Sequence, residues 1–250
     1  MNRRSAILTY HSLDDSGSVI SVAPEVFRRQ MEWLAVAGIP VVPLEDIRKT
    51  PGAVALTFDD GFANLFEHAL PVLARHGFPS TVFVVSGRCG HRNRWEQTVK
   101  GIPDLDLMGW SELASAAAAG VSVGAHTVTH PFLTALREGD LERELALCRA
   151  TIEDRIGRPV ESFAYPYGHA DARVRAAAGR HFRLACGTRL AFVREDSDLL
   201  ELPRIDVFYV RRRRWFETLQ QPGGAAYIAA RRWIRELPRG RAASASHPAA

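Results

Sequence analysis

The stretch Ala53-Val54-Ala55-Leu56-Thr57-Phe58-Asp59-Asp60-Gly61 sets the interpretation of the whole sequence. Its first six residues form a short β-type run, and two carboxylates and a glycine follow immediately. Four further runs of this kind occur at residues 6–10, 81–85, 121–124 and 162–164. We interpret all five runs as candidate parallel strands, each of which leads into a polar segment.

Helical patterns separate these candidate strands. One begins at Pro24, a first-turn proline, and stops at Gly38, while a second covers residues 140–156 and is terminated by Gly157. The alternation predicts a parallel sheet covered by helices, either an open doubly wound sheet or a closed barrel. In both architectures, ligands bind beyond the carboxyl ends of the strands. The polar residues expected at that rim are Tyr10-His11, Asp59-Asp60-Gly61, His126 and Pro166-Tyr167-Gly168.

The composition is ordinary for a globular protein. At 250 residues, with 46% hydrophobic and 24% charged residues, the chain is long enough for one large α/β domain with a sizeable core. No stretch approaches the roughly 20 apolar residues of a membrane-spanning helix, and we do not expect a secretion signal. The three cysteines are far apart, which argues against a disulfide framework and a thiolate metal site. These features predict a cytoplasmic location.

Much of the arginine behind the net charge of +4 lies near the end of the chain, outside any motif with interleaved aromatics, so no nucleic-acid partner is expected. Residues 211–238 are predicted to form a basic helical C-terminal extension, and residues 239–250 a disordered tail. Tyr227, Ala230 and Ile234, with Leu237, have helical spacing. Such a helix either packs on its own domain or lies on an anionic membrane. The second alternative predicts peripheral contact with the inner membrane surface.

Two adjacent carboxylates, Asp59 and Asp60, follow the candidate strand at residues 53–58. Successive strand residues point in opposite directions unless the chain turns, as Gly61 permits. One carboxylate is then able to bind a cation while the other faces a reacting water. The alternative is an Asp-Gly turn in which Asp60 caps the next helix.

Two imidazoles, His126 and His130, are spaced one helical turn apart after the candidate strand at residues 121–124. This spacing is a weak signal by itself, and it becomes informative because the pair is expected at the same rim as the aspartates. One carboxylate, Asp60, with two imidazoles is the open three-ligand set of a catalytic zinc site, whereas a structural site is closed by four ligands.

These residues together resemble the motifs of the polysaccharide deacetylases of carbohydrate esterase family four. Residues 57–61 are similar to the family's TFDDG motif, which supplies a base from its first aspartate and a metal ligand from its second. Residues 126–130 resemble the H-[ST]-x-x-H motif, and residues 163–168 the third motif, whose tyrosine amide helps to hold the oxyanion. The resemblance implies an irregular (β/α) barrel of about seven parallel strands, in a catalytic domain over residues 1–210.

The resemblance also implies a function, which is the metal-dependent hydrolysis of N-acetyl groups on an N-acetylated sugar or polysaccharide. If the C-terminal helix lies on the inner membrane surface, the expected substrate is a lipid-linked glycan. One divalent ion is implied as cofactor, with zinc expected and cobalt, nickel or manganese as alternatives. The implied roles are a base at Asp59, metal ligands at Asp60, His126 and His130, and an oxyanion segment at Pro166 and Tyr167.

Two positions depart from the family pattern. Ala164 replaces an arginine that often pairs with the catalytic aspartate, and a C-terminal leucine-x-histidine that supplies the general acid has no match. We hypothesise that Arg204 takes the place of the missing arginine, the alternative being an exposed arginine after a proline. Tyr10-His11 resembles a strand end found in a subset of the family, which makes His11 the candidate acid. The alternative for His11 is a hydrogen-bonded structural histidine.

Two rival functions follow from the same motifs. A hydrolase of small linear or cyclic amides uses the same site chemistry, since that chemistry does not specify the sugar. A catalytically decayed carbohydrate-binding protein is the other rival. The four intact residues Asp59, Asp60, His126 and His130 argue against decay.

Overall fold

The structure, a computed structural model, describes residues 4–95 and 101–237. Its strands are β1 (Ala6–Tyr10), β2 (Val54–Phe58), β3 (Ser80–Val84), β4 (Ser122–Ala125), β5 (Ser162–Ala164), β6 (Leu184–Cys186) and β7 (Ile205–Asp206). Its helices are α1 (Pro24–Val36), α2 (Asn64–His68), α3 (Leu70–His76), α4 (Trp110–Ala118), α5 (Glu138–Ile156), α6 (Ala172–His181), α7 (Arg213–Glu217) and α8 (Pro222–Glu236).

The seven strands form one parallel sheet in the order β6-β5-β4-β3-β2-β1-β7. Residues 202–206 contact both edges of this sheet. Leu202 pairs with Cys186 of β6, and Ile205 pairs with Leu8 of β1. The sheet therefore curls into a (β/α) barrel, which confirms the fold class implied by the resemblance.

Alternate residues along the inner strands face two different apolar clusters. Leu8 and Leu56 belong to a larger cluster that also contains Phe27 of α1, whereas Ile7 and Ala55 belong to a smaller one. The larger cluster therefore fills the space between sheet and helices, and the smaller one lies inside the curl. Because both faces are buried, β1, β2 and β3 consist of continuous buried runs without polar alternation.

The two predicted helices are present. Pro24 occupies the first turn of α1, and Gly38 follows that helix with a φ of 60°. Helix α5 begins two residues before the predicted start, and Gly157 ends it in the left-handed conformation, with a φ of 69°. Its buried face contacts the sheet and neighbouring helices, so α5 packs as its apolar spacing predicts. The buried residues of α5 are Leu141, Leu145, Cys148 and Ile152.

A long segment between β3 and α4 passes over the rim of the barrel in its described parts, 87–95 and 101–106. Asn93 joins its two arms, since the Asn93 side chain accepts from the Leu105 amide (2.8 Å) and donates to the Pro103 carbonyl (3.0 Å). This arrangement brings Trp95 and Ile102 to the cavity described below.

The C-terminal extension forms α7 and α8, but its apolar face differs from the predicted stripe. Ile228 is the buried apolar side chain of α8, with 2% of its surface exposed, and Gly224 is buried as well. Tyr227 stacks on Trp215 with ring centroids 4.0 Å apart. Ile234 and Leu237 are 54% and 42% exposed. The expected tail at residues 239–250 lies outside the described residues. None of the described helices is long and apolar enough to span a membrane.

Candidate metal and catalytic site

The loops that follow the strands meet in one cavity at the carboxyl ends of the sheet. Residues that follow β1, β2, β4, β5 and β6 line this cavity, together with residues in and beside β7. Of the sequence-predicted site residues, Pro166 is buried nearby without lining the cavity. The others line it: His11, Asp59, Asp60, His126, His130, Tyr167 and Arg204.

The two aspartates separate at a sharp turn after β2. The Asp59 amide donates to the Tyr10 carbonyl (3.0 Å), which continues the backbone ladder between β1 and β2. Asp60 then adopts a φ of 69°, a left-handed conformation that redirects its side chain away from that of Asp59. Helix α2 begins after Ala63 without a side-chain cap, so Asp60 does not cap the next helix.

Asp60, His126 and His130 place three ligand atoms together. Asp60 Oδ1 lies 3.4 Å from Nε2 of each histidine, and the two Nε2 atoms are 3.2 Å apart. All three residues are buried, and their ligand atoms lie within 4.8 Å of one another. This geometry directs one carboxylate oxygen and two imidazole nitrogens toward a common point, as a three-ligand metal site requires.

The chemistry of these donors fits a divalent cation. The His126 Nδ1 lies 2.7 Å from the Ala164 carbonyl, a contact that places the proton on Nδ1 and leaves the Nε2 lone pair facing the group. Burial lowers the pKa of His130 to about 3, so its imidazole is neutral near pH 7. Asp60 Oδ1 is buried without a hydrogen-bond partner. A cation satisfies this oxygen and both lone pairs together.

Helix α5 supports the loop that carries both histidines. One carboxylate oxygen of Glu144 accepts from the amides of Val128 (2.7 Å) and Thr129 (3.0 Å). Thr127 Oγ1 accepts from the His130 amide at 3.0 Å. These bonds fix the loop backbone and so the direction of the imidazoles, which is the role of residues surrounding a ligand set.

Asp59 forms a buried, bidentate ion pair with Arg204. Its two carboxylate oxygens each lie 2.7 Å from a guanidinium nitrogen, and Arg204 Nε donates to the Gly187 carbonyl at 3.0 Å. Arg204 is 2% exposed, so it is not a surface arginine. Burial acts to raise the pKa of Asp59, but the guanidinium, with smaller contributions from His126 and His11, lowers the pKa overall. Asp59 is therefore ionised at neutral pH.

His11 lies on the open side of this ion pair. Its Nε2 is 3.9 Å from Asp59 Oδ2, and its side chain is 22% exposed. Asp206, at the end of β7, lines the same cavity and accepts from the Phe208 amide at 2.9 Å. Burial raises the pKa of Asp206. His11 therefore lines the cavity within electrostatic reach of two carboxylates, Asp59 and Asp206.

Comparison with known sequence families identifies the family of this chain. The family profile described as polysaccharide deacetylase matches residues 46–182, more than half of the chain. The chain belongs to the polysaccharide deacetylase family. The homologues in this family are hydrolases of carbon–nitrogen bonds other than peptide bonds, which confirms the predicted enzyme class. Family members generally depend on a metal ion, and Asp60, His126 and His130 form a group able to hold one.

Individual relatives agree with the family assignment. YxkH of Bacillus subtilis (strain 168), which is named as a polysaccharide deacetylase, is 23% identical over 210 residues, 80% of this chain and 70% of YxkH. The chitooligosaccharide deacetylase of Rhizobium leguminosarum bv. trifolii is 36% identical over 110 residues, 44% of this chain and 43% of that protein. The structure of IcaB from Ammonifex degensii has a TM-score of 0.73 at 24% identity, covering 91% and 98% of the two chains.

The third deacetylase motif forms a short turn after β5. Tyr167 has a φ of 58°, and its ring packs edge-on against His130 with centroids 4.6 Å apart. Position 164 in this motif is an alanine, and the arginine that contacts Asp59 is Arg204, 145 residues after it. The Ala164 carbonyl instead orients His126.

Trp95 is a site residue that the sequence analysis missed. Its ring stacks on the imidazole of His130 with centroids 4.6 Å apart and planes 25° from parallel. It is 9% exposed and lines the cavity of this deacetylase-family chain. The available signal was weak, because Trp95 is a single aromatic in a loop without periodicity. Asp206 was likewise missed as a site residue, although it lies two positions from Arg204.

Proposed function

We propose that this chain removes the acetyl group from an N-acetylated sugar within a glycan, by hydrolysis of the amide bond. One observation carries the proposal: a buried set of metal-ligand atoms stands beside an ionised, buried carboxylate in a single open cavity. The names of the relatives, which include a chitooligosaccharide deacetylase, support a glycan rather than a small amide as the substrate.

Asp60, His126 and His130 would hold the cofactor, and zinc suits one carboxylate with two imidazoles. When bound, such an ion supplies Lewis acidity toward the acetyl carbonyl and lowers the pKa of water. Cobalt, nickel and manganese are the alternatives to be tested.

Asp59 is the proposed general base. Arg204 fixes the Asp59 carboxylate in the cavity that also holds the ligand group, and a water molecule would bind between the two. As the water oxygen bonds to the acetyl carbon, Asp59 takes one of its protons. The peptide at Tyr167 is proposed to donate its N–H to the carbonyl oxygen that gains charge in this step.

His11 is the proposed general acid. The carbon–nitrogen bond breaks only if the departing amine receives a proton, and His11 borders the cavity within 3.9 Å of Asp59. A protonated imidazole transfers that proton to nitrogen, and the proton taken up by Asp59 balances it. The products are acetate and a free amine on the sugar.

Acetate release from N-acetylglucosamine oligomers and from small linear and cyclic amides tests this function. The metal-free chain and the chain loaded with zinc, cobalt, nickel or manganese would be compared on each substrate. We expect turnover of the oligomers only after metal is added. Turnover confined to the small amides would assign the rival amide hydrolase function, and metal binding without turnover of any substrate would indicate a decayed enzyme.

A further inference from the structure

Helix α8 brings one of its arginines into the catalytic cavity. Arg235 lines this cavity beside Thr188, although it belongs to the C-terminal extension rather than to the deacetylase motifs. Its Nη1 donates to the Thr188 carbonyl at 3.3 Å. Its guanidinium carbon lies 5.8 Å from the centre of the Tyr209 ring. These contacts keep the charge at the cavity wall.

Arg235 forms no salt bridge with a carboxylate among the described residues, although its charge acts on Asp206 from beyond salt-bridge distance. By contrast, Arg232 on the same helix lies 4.0 Å from Glu236. In the described lining of the cavity, Asp59 is paired with Arg204, and Asp60 belongs to the metal-ligand group. Asp206 is the third described carboxylate there, and it forms no salt bridge with Arg235. A guanidinium that lines the substrate cavity without a salt bridge is therefore available to an anion.

We propose that Arg235 binds a negatively charged substituent, a phosphate or a carboxylate, on the N-acetylated sugar substrate. This inference rests on the proposed function, because it assigns the substrate class of the same site. A guanidinium forms paired, charge-assisted hydrogen bonds with both kinds of anion. Neutral chitin-like chains offer no such group, so the preferred substrate is an anionic glycan or a phosphate-linked precursor.

The position of Arg235 defines how strong this preference is. Its side chain is exposed on one side, so water and salt screen the interaction. One charge-assisted contact in such a place corresponds to roughly a tenfold preference. The preference therefore decreases as the salt concentration rises, whereas a purely structural contribution of Arg235 would not depend on salt in this way.

Three trisaccharides of equal length test the proposal on the full chain loaded with zinc. They are triacetylchitotriose, its 1-phosphate, and its aldonic acid, which carries a carboxylate at the same end. We expect kcat/KM to be higher for one or both anionic substrates than for the neutral one. In Arg235→Met, the ratio of anionic to neutral kcat/KM should fall roughly tenfold at low salt. Comparison of the 1-phosphate with the aldonic acid shows whether Arg235 prefers a phosphate or a carboxylate.

Two matched variants control for the loss of a positive charge on α8 and for the loss of a guanidinium at the Tyr209 ring. Arg232→Met removes the same charge from the same helix without touching the cavity, and Arg231→Met removes the other guanidinium from the Tyr209 ring, at 5.0 Å. Both should keep the wild-type ratio, and Arg235→Lys should retain part of the preference. An unchanged ratio in Arg235→Met, or a wild-type chain without an anionic preference, overturns the proposal.

Binding provides a second measurement that does not need turnover. Calorimetric titration of the chelator-treated full chain with the three trisaccharides compares their Kd values, and Arg235→Met should lose roughly tenfold in affinity for the anionic ones relative to the neutral one. If acetate is released from none of the trisaccharides, the proposed function fails. The binding comparison still decides whether Arg235 recognises an anion. Equal loss of affinity for all three trisaccharides would contradict that assignment.

Discussion

Four residues other than glycine have a positive φ in the described part of the chain, and all four border the proposed active site. They are Asp60 (69°), Thr127 (70°), His130 (66°) and Tyr167 (58°). The left-handed region is unfavourable for residues with a Cβ, above all for a β-branched one such as Thr127. Such strain persists only where surrounding contacts hold it. The side-chain directions at this site are therefore imposed by the fold.

Substitution of the proposed base, Asp59, should have a different effect from substitution of a metal ligand. Asp59→Asn removes the proposed base but leaves Asp60, His126 and His130, so the chain should keep its metal and lose activity by roughly 100-fold or more. His126→Ala should lose both metal and activity. Metal content after purification and acetate release measure these outcomes. Equal metal loss in the two variants would exchange or refute the roles of the aspartates.

Arg204 should control the pH dependence of the proposed base. Burial raises the pKa of Asp59, and the Arg204 guanidinium, with smaller contributions from His126 and His11, more than offsets that rise. Arg204→Met removes the offset, so the Asp59 pKa should increase and the base should be protonated over a wider acidic range. The acidic limb of kcat/KM against pH should therefore move to higher pH, with a lower rate at neutral pH.

A matched arginine controls for the loss of charge. Arg194 forms an exposed pair with Asp196 at 2.9 Å, far from the cavity lining. Arg194→Met should leave both the rate and the pH profile unchanged, since exposed pairs contribute little. If Arg204→Met behaves like this control, the idea that Arg204 compensates for Ala164 is wrong.

Sequence reasoning located the site residues that belong to contiguous motifs. Asp59 and Asp60 could be found because they follow an apolar strand directly, and the histidines because their spacing is regular. Contacts between residues that are distant in sequence, which the barrel brings together, were harder to predict. Arg204 was inferred only from the absence of an arginine at Ala164, and the packing of Trp95 on His130 has no sequence spacing that predicts it.

At the scale of elements, length determined what the sequence could predict. Helix α5 contains 19 residues and several turns of apolar spacing, and its end at Gly157 agrees with the prediction. Strands β6 and β7 contain three and two residues, too few to establish a period of two. Neither was among the five candidate strands, although the family resemblance implied about seven.

The orientation of α8 depends on a close approach that helical spacing does not reveal. A Cβ at Gly224 would lie 2.1 Å from the Thr218 carbonyl oxygen, so only glycine permits this contact. With α8 in this position, Ile228 is buried and Ile234 is exposed. The predicted stripe of apolar residues therefore does not form the buried face.

Two neighbouring glycines provide a test of how α8 docks. Gly224→Ala introduces the clash at Thr218 and should destabilise the chain by about 1–3 kcal/mol. Gly223→Ala meets nothing within 4 Å and should stabilise the same helix by up to about 1 kcal/mol. Thermal unfolding of both variants measures the difference. A Tm for Gly224→Ala at or above that of Gly223→Ala would show that α8 is not held by this contact.

At the scale of the molecule, the end of α8 combines exposed apolar and basic side chains. Trp233 is 64% exposed and Ile234 is 54% exposed, and arginines flank them on the same helix. We predict that the full chain co-sediments with anionic vesicles at low salt, because both features favour an anionic membrane surface. The double variant Trp233→Ala, Ile234→Ala should bind less.

Two controls distinguish the apolar contribution to membrane binding from the electrostatic one. Neutral vesicles should bind little of the full chain, and the double variant should keep the same net charge while losing the apolar contribution. If the full chain does not bind anionic vesicles, the prediction of a peripheral membrane location is wrong. A soluble glycan then becomes the substrate to pursue.

The closure of the barrel by residues 202–206 also determines when the active site can assemble during synthesis. During synthesis, Asp60, His126 and His130 leave the ribosome well before Arg204, which lies 145 residues after Asp59. Until Leu202 pairs with Cys186 and Ile205 with Leu8, the sheet has two open edges. A buried Asp59 would then lack its counter-charge, at a cost of about 3–5 kcal/mol. A chain that ends before residue 206 therefore cannot complete its site, and the proposed active site forms only after β7 has been synthesised.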